Sequence, residues 1–274
     1  MAQSKGGRDS FSQTLLVATV LCVVCSVLVA GAAVGLRGKQ EANKQLDKKQ
    51  NVLLAAGFPD AKKMSAAEVD EKFETSIERV LIDLDTGETV APSVIDPETY
   101  DQREAARNPK LSDPIESASE LGGIKRREKY AFIYRVKGES GKIEKVVLPI
   151  FGKGLWSTLY GFIAIGTDAK TVEGITFYEH GETPGLGAEI ENTKWQDGWK
   201  GKQLFDENGK TAIEVIKGVV NPGSAAAKYQ IDGLSGATIT SSGVSQLVRY
   251  WVGPHAFGPY LDKLRQASGG ESNG

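Results

Sequence analysis

The stretch Tyr130-Ala131-Phe132-Ile133-Tyr134-Arg135-Val136 decides the fold class of this chain. Aromatic and β-branched residues dominate it, which is typical of a buried strand. The turn Gly138-Glu139-Ser140-Gly141 follows, and residues 145–150 return as a second apolar run. Two such runs joined by a glycine-containing turn predict a pair of antiparallel strands.

The pattern continues downstream of this pair. Residues 159–165 and 174–178 predict two further strands, and residues 212–216 a short one. Residues 195–204 form an amphipathic stretch, and residues 240–266 predict helix with bends at two Gly-Pro pairs. A run of strands followed by helices indicates an α+β fold, with an antiparallel sheet and flanking helices.

Upstream, Ser65-Ala66-Ala67-Glu68 is a capping box that predicts the start of a short helix. Residues 79–83 place three apolar side chains between Arg79 and Asp83, and the turn Asp85-Thr86-Gly87 follows, which predicts a hairpin. Residues 91–119 are polar and contain four prolines, so we expect an irregular connector there.

The N-terminal part of the chain is strongly apolar. No charged residue occurs between Asp9 and Arg37. About 20 helical residues cross a bilayer core, so residues 11–36 predict a transmembrane helix. A cleaved signal peptide is the alternative, because Ala30-Gly31-Ala32 resembles a cleavage site, although the apolar stretch exceeds the usual length. Residues 39–56 predict a helix that continues from it or follows closely.

The charges beside this helix bear on its orientation. Two basic residues precede it, Lys5 and Arg8, and more follow it: Arg37, Lys39, Lys44, Lys48 and Lys49. The positive-inside rule therefore predicts a cytoplasmic location for the residues after the helix.

The composition excludes several classes of protein. The 274 residues contain 33 Lys and Arg against 35 Asp and Glu, a net charge of −2. A nucleic-acid partner is not expected, because such proteins carry a basic balance or patch. Two cysteines exclude a disulfide framework.

Two stretches are unusual for a structural domain. His180-Gly181-Glu182-Thr183-Pro184-Gly185-Leu186-Gly187 can form a tight turn, or its glycines can bring backbone close to a ligand. Residues 232–242 are small and rich in hydroxyls, and they precede the last helix. They predict either a phosphate site at the helix N-terminus or simple capping by Thr240 or Ser241.

Ser235-Gly236-Ala237-Thr238, preceded by Asp232, resembles the covalent flavinylation motif of bacterial FMN-binding domains. Residues 182–187 and Trp156-Ser157 resemble two further segments that lie near the flavin in that family. The resemblance implies FMN esterified through its phosphate to Thr238. It also implies the remaining cofactor-binding residues: Ser235, Gly236, Ala237, Ile239, Glu182, Thr183, Gly185, Leu186, Gly187, Trp156 and Ser157. No metal ligand or separate catalytic residue is expected.

One membrane helix joined to this domain resembles two families of flavin subunit. One is the C subunit of Na⁺-translocating NADH:quinone reductases, and the other is the equivalent subunit of Rnf-type ferredoxin:NAD oxidoreductases. The long stretch at residues 37–120 resembles the quinone reductase family better. That family implies an electron carrier in a complex that oxidises NADH, reduces ubiquinone and exports Na⁺. It also implies other membrane subunits as partners and a flavin transferase for maturation. A non-redox anchored binding module is the remaining alternative.

The resemblance also implies a location and a domain division. The chain is expected in the bacterial inner membrane with its flavin domain in the periplasm, although the flanking charges predict a cytoplasmic location for that domain. The expected parts are a cytoplasmic tail at residues 1–10, the membrane helix at 11–36 and a membrane-proximal segment at 37–120. The FMN-binding domain follows at 121–265, and a flexible tail at 266–274.

Overall fold

The computed structural model describes residues 11–115 and 123–270. The predicted tail at residues 1–10 and the last four residues lie outside this part. The chain divides into two compact units, one up to Leu46 and one from Asp47 onwards. The second unit holds the sheet and every candidate site residue.

The helices are α1 (Phe11–Ala55), α2 (Ala66–Ser76), α3 (Gln102–Arg107), α4 (Thr193–Asp197), α5 (Thr238–Val252) and α6 (Gly258–Gly270), with short 3-10 helices at Pro59–Lys63, Gly187–Glu191 and Ala225–Tyr229. The strands are β1 (Ile77–Asp83), β2 (Ser112–Pro114), β3 (Arg126–Glu128), β4 (Tyr130–Lys137), β5 (Ile143–Lys153), β6 (Thr158–Gly166), β7 (Val172–Glu179), β8 (Glu214–Val215) and β9 (Gln230–Ile231).

Five strands form the main sheet in the order β1-β4-β5-β6-β7. Every neighbouring pair is antiparallel, with Tyr134 of β4 opposite Val147 of β5. This confirms the predicted α+β class with an antiparallel sheet. Strand β1 pairs with β4 along its whole length, from Ile77 opposite Val136. The segments predicted as separate at residues 37–120 and 121–265 therefore share one sheet.

Both faces of this sheet are covered, which explains why its strands are apolar almost throughout. One face carries core aliphatic side chains: Ala131, Ile133, Leu148, Ile150, Ile163 and Ile175. Helix α5 packs on this side against β5, and the indole Nε1 of Trp251 donates to the carbonyl oxygen of Phe151 at 2.7 Å. The opposite face is aromatic, with Tyr134 edge-on to Phe162 and Phe162 stacked on Tyr178.

Helix α1 runs unbroken from the predicted membrane segment through the predicted helix at residues 39–56. It is long and apolar enough to cross a membrane, which is consistent with a single-pass anchor. Its last turns belong to the second unit, where Asn51, Val52 and Leu53 are buried. The hydroxyl of Thr176 in β7 donates to the carbonyl oxygen of Asn51 at 3.1 Å.

Some predicted elements differ from those observed. The predicted helix start at Ser65 is confirmed, since both capping-box hydrogen bonds with Glu68 form. Within residues 91–115, the described part of the predicted connector, Asp101 caps the short helix α3, which the sequence did not predict. The tail predicted from residue 266 is helical up to Gly270, because Ser268 Oγ anchors it by donating to the carbonyl oxygen of Thr167 at 2.8 Å.

One predicted element is shorter than the pattern indicated. The strand predicted at 212–216 contracts to β8, which pairs with β9 in parallel. The amphipathic stretch at 195–204 begins in α4, which ends before Gly198.

Candidate functional site

Three segments that are distant in sequence meet at the first turn of α5. The first is the β5–β6 loop at residues 154–157, and the second follows β7 at residues 180–187. The third, at residues 232–237, leads directly into α5. The carboxylate of Glu182, which is 5% exposed, ties the second segment to the first segment and to Thr240 in the first turn of α5.

Glu182 accepts four hydrogen bonds. Its Oε1 accepts from the backbone amides of Trp156 at 2.9 Å and Ser157 at 3.3 Å. Its Oε2 accepts from the amide of Leu155 at 3.3 Å and the hydroxyl of Thr240 at 2.6 Å. Burial alone would raise the pKa of Glu182, but these hydrogen bonds outweigh it and lower the pKa below its ordinary value. The group is therefore ionised at neutral pH.

Two glycines make this close packing feasible. A Cβ atom on Gly187 would lie 2.6 Å from Glu182 Oε2 and 2.7 Å from Thr240 Oγ1, so only glycine leaves room for their hydrogen bond. Gly236 has a φ of +70°, which side chains rarely adopt. A Cβ there would lie 2.9 Å from Leu186 Cδ2, which places the second and third segments side by side.

The start of α5 is not capped by a side chain. Ala237 occupies the N-cap position without a side-chain hydrogen bond. Thr240 donates to Glu182, and Ser241 Oγ accepts from the amide of Leu234 at 3.1 Å. The alternative of capping by Thr240 or Ser241 is therefore wrong, because both hydroxyls point to other partners. Within the described residues, the amides of the first three helical positions, 238–240, have no hydrogen-bond acceptor.

Thr238 is the first residue of α5 and is exposed to solvent. It lines a cavity of about 310 Å³ together with Lys153, Ser242 and Gln246. Unpartnered amides at a helix N-terminus and a nearby ammonium group both favour an anion at this position. The site therefore combines an accessible hydroxyl with an environment suited to a phosphate.

Large apolar side chains are exposed on the first two segments and on the first turn of α5. The exposed fractions are 46% for Leu155, 69% for Trp156, 41% for Leu186 and 60% for Ile239 at the start of α5. Side chains of this kind are usually buried in a soluble domain unless they contact a ligand or a partner. They supply the apolar surface that a planar ring system requires.

Residues 154–253, which contain all three segments, match the FMN-binding domain family. The chain is 49% identical over 261 residues to the C subunit of the Na(+)-translocating NADH-quinone reductase of Yersinia pestis, covering 95% of this chain and 96% of that protein. Identity to the same subunit of Pseudomonas aeruginosa is 46%, over 94% of this chain and 98% of that one.

This chain belongs to the NqrC family of reductase subunits. Solved structures agree: Shewanella oneidensis NqrC superposes with a TM-score of 0.72 at 37% identity, covering 82% of this chain and 99% of that one. The corresponding structure from Parabacteroides distasonis gives 0.61 at 29% identity, covering 82% and 96%. The predicted resemblance to the quinone reductase subunit is confirmed, and members of this family are subunits of an oxidoreductase complex.

The structure brings the predicted flavin residues of this family together. Ser235, Gly236, Thr238 and Ile239 are exposed around the start of α5, whereas Ala237 is buried beneath it.

In the loop after β7, the Thr183 carbonyl accepts from the amides of Leu186 and Ala188, which shapes the turn. Gly185 lies in that turn with a φ of +75°. Ser157 Oγ accepts from the amide of Gly181 at 2.6 Å, so Ser157 positions the same loop.

Glu182, one of the predicted cofactor-binding residues, accepts from the protein's own donors through both carboxylate oxygens, so it organises the site. Sequence reasoning missed Ser242, Gln246 and Lys153 in the cavity. Ser242 and Gln246 were detectable, because they follow Thr238 by four and eight residues on one helical face. Lys153 had no such signal.

Proposed function

We propose that this chain is the membrane-anchored electron carrier of a Na⁺-translocating NADH:quinone reductase and holds FMN by an ester to Thr238. Its relatives are named as subunits of this reductase, which supports the assignment to the complex, and the match to the FMN-binding domain family supports FMN as the cofactor. The observation that carries the attachment is the exposed Thr238 hydroxyl at an uncapped helix start.

The residues around Thr238 fit a phosphodiester. A bond from Thr238 Oγ to the FMN phosphorus, with net loss of water, leaves one negative charge on the phosphate. The free amides at 238–240 and the ammonium group of Lys153 stabilise that charge. The ester keeps the cofactor from diffusing away in the periplasm.

The apolar surface fits the other end of the cofactor. Trp156, Leu186 and Ile239 expose side chains that can pack on a planar ring system. Bound FMN accepts and donates electrons, while the protein positions and shields it. Glu182 holds the β5–β6 loop, the loop after β7 and the first turn of α5 together, so the ring and the phosphate would be bound by one preorganised unit.

Intact-mass spectrometry tests the attachment. The full chain is produced with its flavin transferase beside Thr238→Ala and Ser242→Ala. The last variant is the matched control, because it removes another hydroxyl from the same cavity. We expect a gain of FMN less one water in wild type and Ser242→Ala, and none in Thr238→Ala. A gain in Thr238→Ala would place the ester elsewhere.

The carrier role is tested in membranes that contain the assembled complex. Thr238→Ala is expected to abolish NADH-driven quinone reduction while the subunit still co-purifies with its partners. Unchanged turnover would show that electrons do not pass through this site.

We also propose that the domain lies in the periplasm. The experiment places a single cysteine at the exposed turn residue Glu139 in a chain with Cys22 and Cys25 replaced by Ala. A membrane-impermeant maleimide should label it in spheroplasts without lysis. Labelling only after lysis would support the cytoplasmic location that the flanking charges predict.

A further inference from the structure

A second and larger cavity lies beside the candidate flavin site. Its volume is about 410 Å³, within the range of small-molecule sites, roughly 300–1,000 Å³. It opens between α3, the last part of α1 and the ends of β5, β6 and β7. Six basic residues line it: Lys48, Arg103, Arg107, Lys125, Arg126 and Lys153. No described carboxylate lines it.

Among the described residues, four of these six basic side chains have no carboxylate partner. Arg103 pairs with Glu179, and Arg126 donates to the hydroxyl and carbonyl oxygens of Ser112. The other four basic residues have no carboxylate within ion-pairing distance in the part of the chain that the structure describes. Several lysine and arginine groups around one concave site favour a dianion such as phosphate.

Aromatic side chains form one wall of this cavity. The guanidinium of Arg103 lies over the ring of Tyr160, 3.8 Å from its centroid. Both terminal nitrogens of Arg103 donate to the carboxylate of Glu179 at 2.9 Å, which holds the guanidinium in this position. The rings of Phe151 and Tyr178 extend the same wall. A fixed guanidinium plane beside aromatic rings is a surface on which a planar ring stacks.

We propose that this cavity binds a phosphorylated aromatic compound of the mononucleotide class. Its phosphate would meet the side chains of Lys48, Arg107, Lys125 and Lys153, and its ring would lie against the wall formed by Arg103, Phe151 and Tyr178. The site is distinct from the Thr238 cavity, although Lys153 and Gly123 line both. It does not depend on esterification of Thr238.

Calorimetric titration with AMP tests this, using the full flavinylated chain in detergent and the Thr238→Ala chain. The charge-reversed variant carries Arg107→Glu and Lys125→Glu. Lys110→Glu is the matched control, because Lys110 is exposed near α3 but does not line the cavity. Adenosine and ribose 5-phosphate serve as probes that each lack half of the ligand.

We expect one AMP per chain with and without the covalent flavin. The charge-reversed variant should bind at least about tenfold more weakly, and Lys110→Glu should bind normally. Both half-ligands should bind more weakly than AMP. Equal binding by the charge-reversed variant would overturn the proposal. Binding only to Thr238→Ala would overturn it too, because the attached flavin would then occupy the cavity.

Discussion

Replacing Glu182 by Gln removes one charge from the centre of the site and keeps the shape of the side chain. A hydrogen bond to a charged acceptor contributes about 1.5–3 kcal/mol, against about 0.5–1.5 kcal/mol for a neutral one. The two short bonds, from Trp156 at 2.9 Å and Thr240 at 2.6 Å, should therefore each lose about 1 kcal/mol.

A third contact fails in the variant. The new glutamine side chain has one acceptor oxygen, so its NH₂ group must replace a carboxylate oxygen that accepts in the wild type. If it replaces Oε2, the Thr240 hydroxyl must accept from the NH₂ group instead of donating, and the amide of Leu155 loses its acceptor, which costs about 1–3 kcal/mol. Glu182→Gln should therefore lower the free energy of unfolding by about 3–5 kcal/mol at neutral pH.

Urea unfolding of the full chain in mild detergent measures this loss, with tryptophan fluorescence as the signal. Trp199 and Trp251 are fully buried in the second unit and report on its unfolding. Glu139→Gln is the matched control, because it makes the same exchange at an exposed turn.

The pH dependence provides a second check. The folded pKa of Glu182 lies below its ordinary value of 4.5, so its stabilisation is present above 4.5 and is lost as the pH falls through the folded pKa. Gln cannot titrate, so the difference in the free energy of unfolding between wild type and variant should decrease in acid. Equal free energies of unfolding for Glu182→Gln and Glu139→Gln at neutral pH would refute the predicted role of the Glu182 charge. A difference between wild type and Glu182→Gln that stays constant in acid would also refute it.

Three more substitutions test the packing of two glycines and the burial of one carboxyl group. Gly187→Ala places a Cβ 2.6 Å from Glu182 Oε2, so it should cost about 2 kcal/mol in urea unfolding and combine less than additively with Glu182→Gln. Burial raises the pKa of Glu128 from 4.5 to about 7, so its contribution to stability is full below 4.5 and is lost as the pH rises to about 7. Glu128→Gln should remove this decline of about 3 kcal/mol in unfolding measured across that range; an unchanged slope would contradict it. Gly243→Ala drives a Cβ into the backbone carbonyl at the end of β5 and should lower the melting temperature, whereas Gly38→Ala, which meets open space, should not.

The sequence predicted those elements whose causes are local. The strands at β4 and β5 follow from runs of apolar residues, and the start of α2 follows from a capping box with both partners within four residues. The flavin residues could be found because their motifs are contiguous. Each of these signals lies within a few residues of the structure that it predicts.

The interactions that assemble the site could not be predicted in this way. Glu182 meets an amide 26 residues away at Trp156 and a hydroxyl 58 residues away at Thr240. The same distance in sequence hid the pairing of β1 with β4, which joins two segments predicted to be separate. Such contacts depend on how the sheet is ordered, which no local pattern specifies.

The last turns of α1 have a consequence for dividing this protein. Asn51, Val52 and Leu53 are packed inside the second unit, and the carbonyl of Ala55 abuts Gly174 in β7. A protease that cut before Asp47 would release a domain with its packing intact. A cut after Ala55 would remove the last turns of α1 from the sheet and expose the Thr176 hydroxyl to water. The boundary between the two units therefore lies inside helix α1 and not in a loop, where domain boundaries are usually sought.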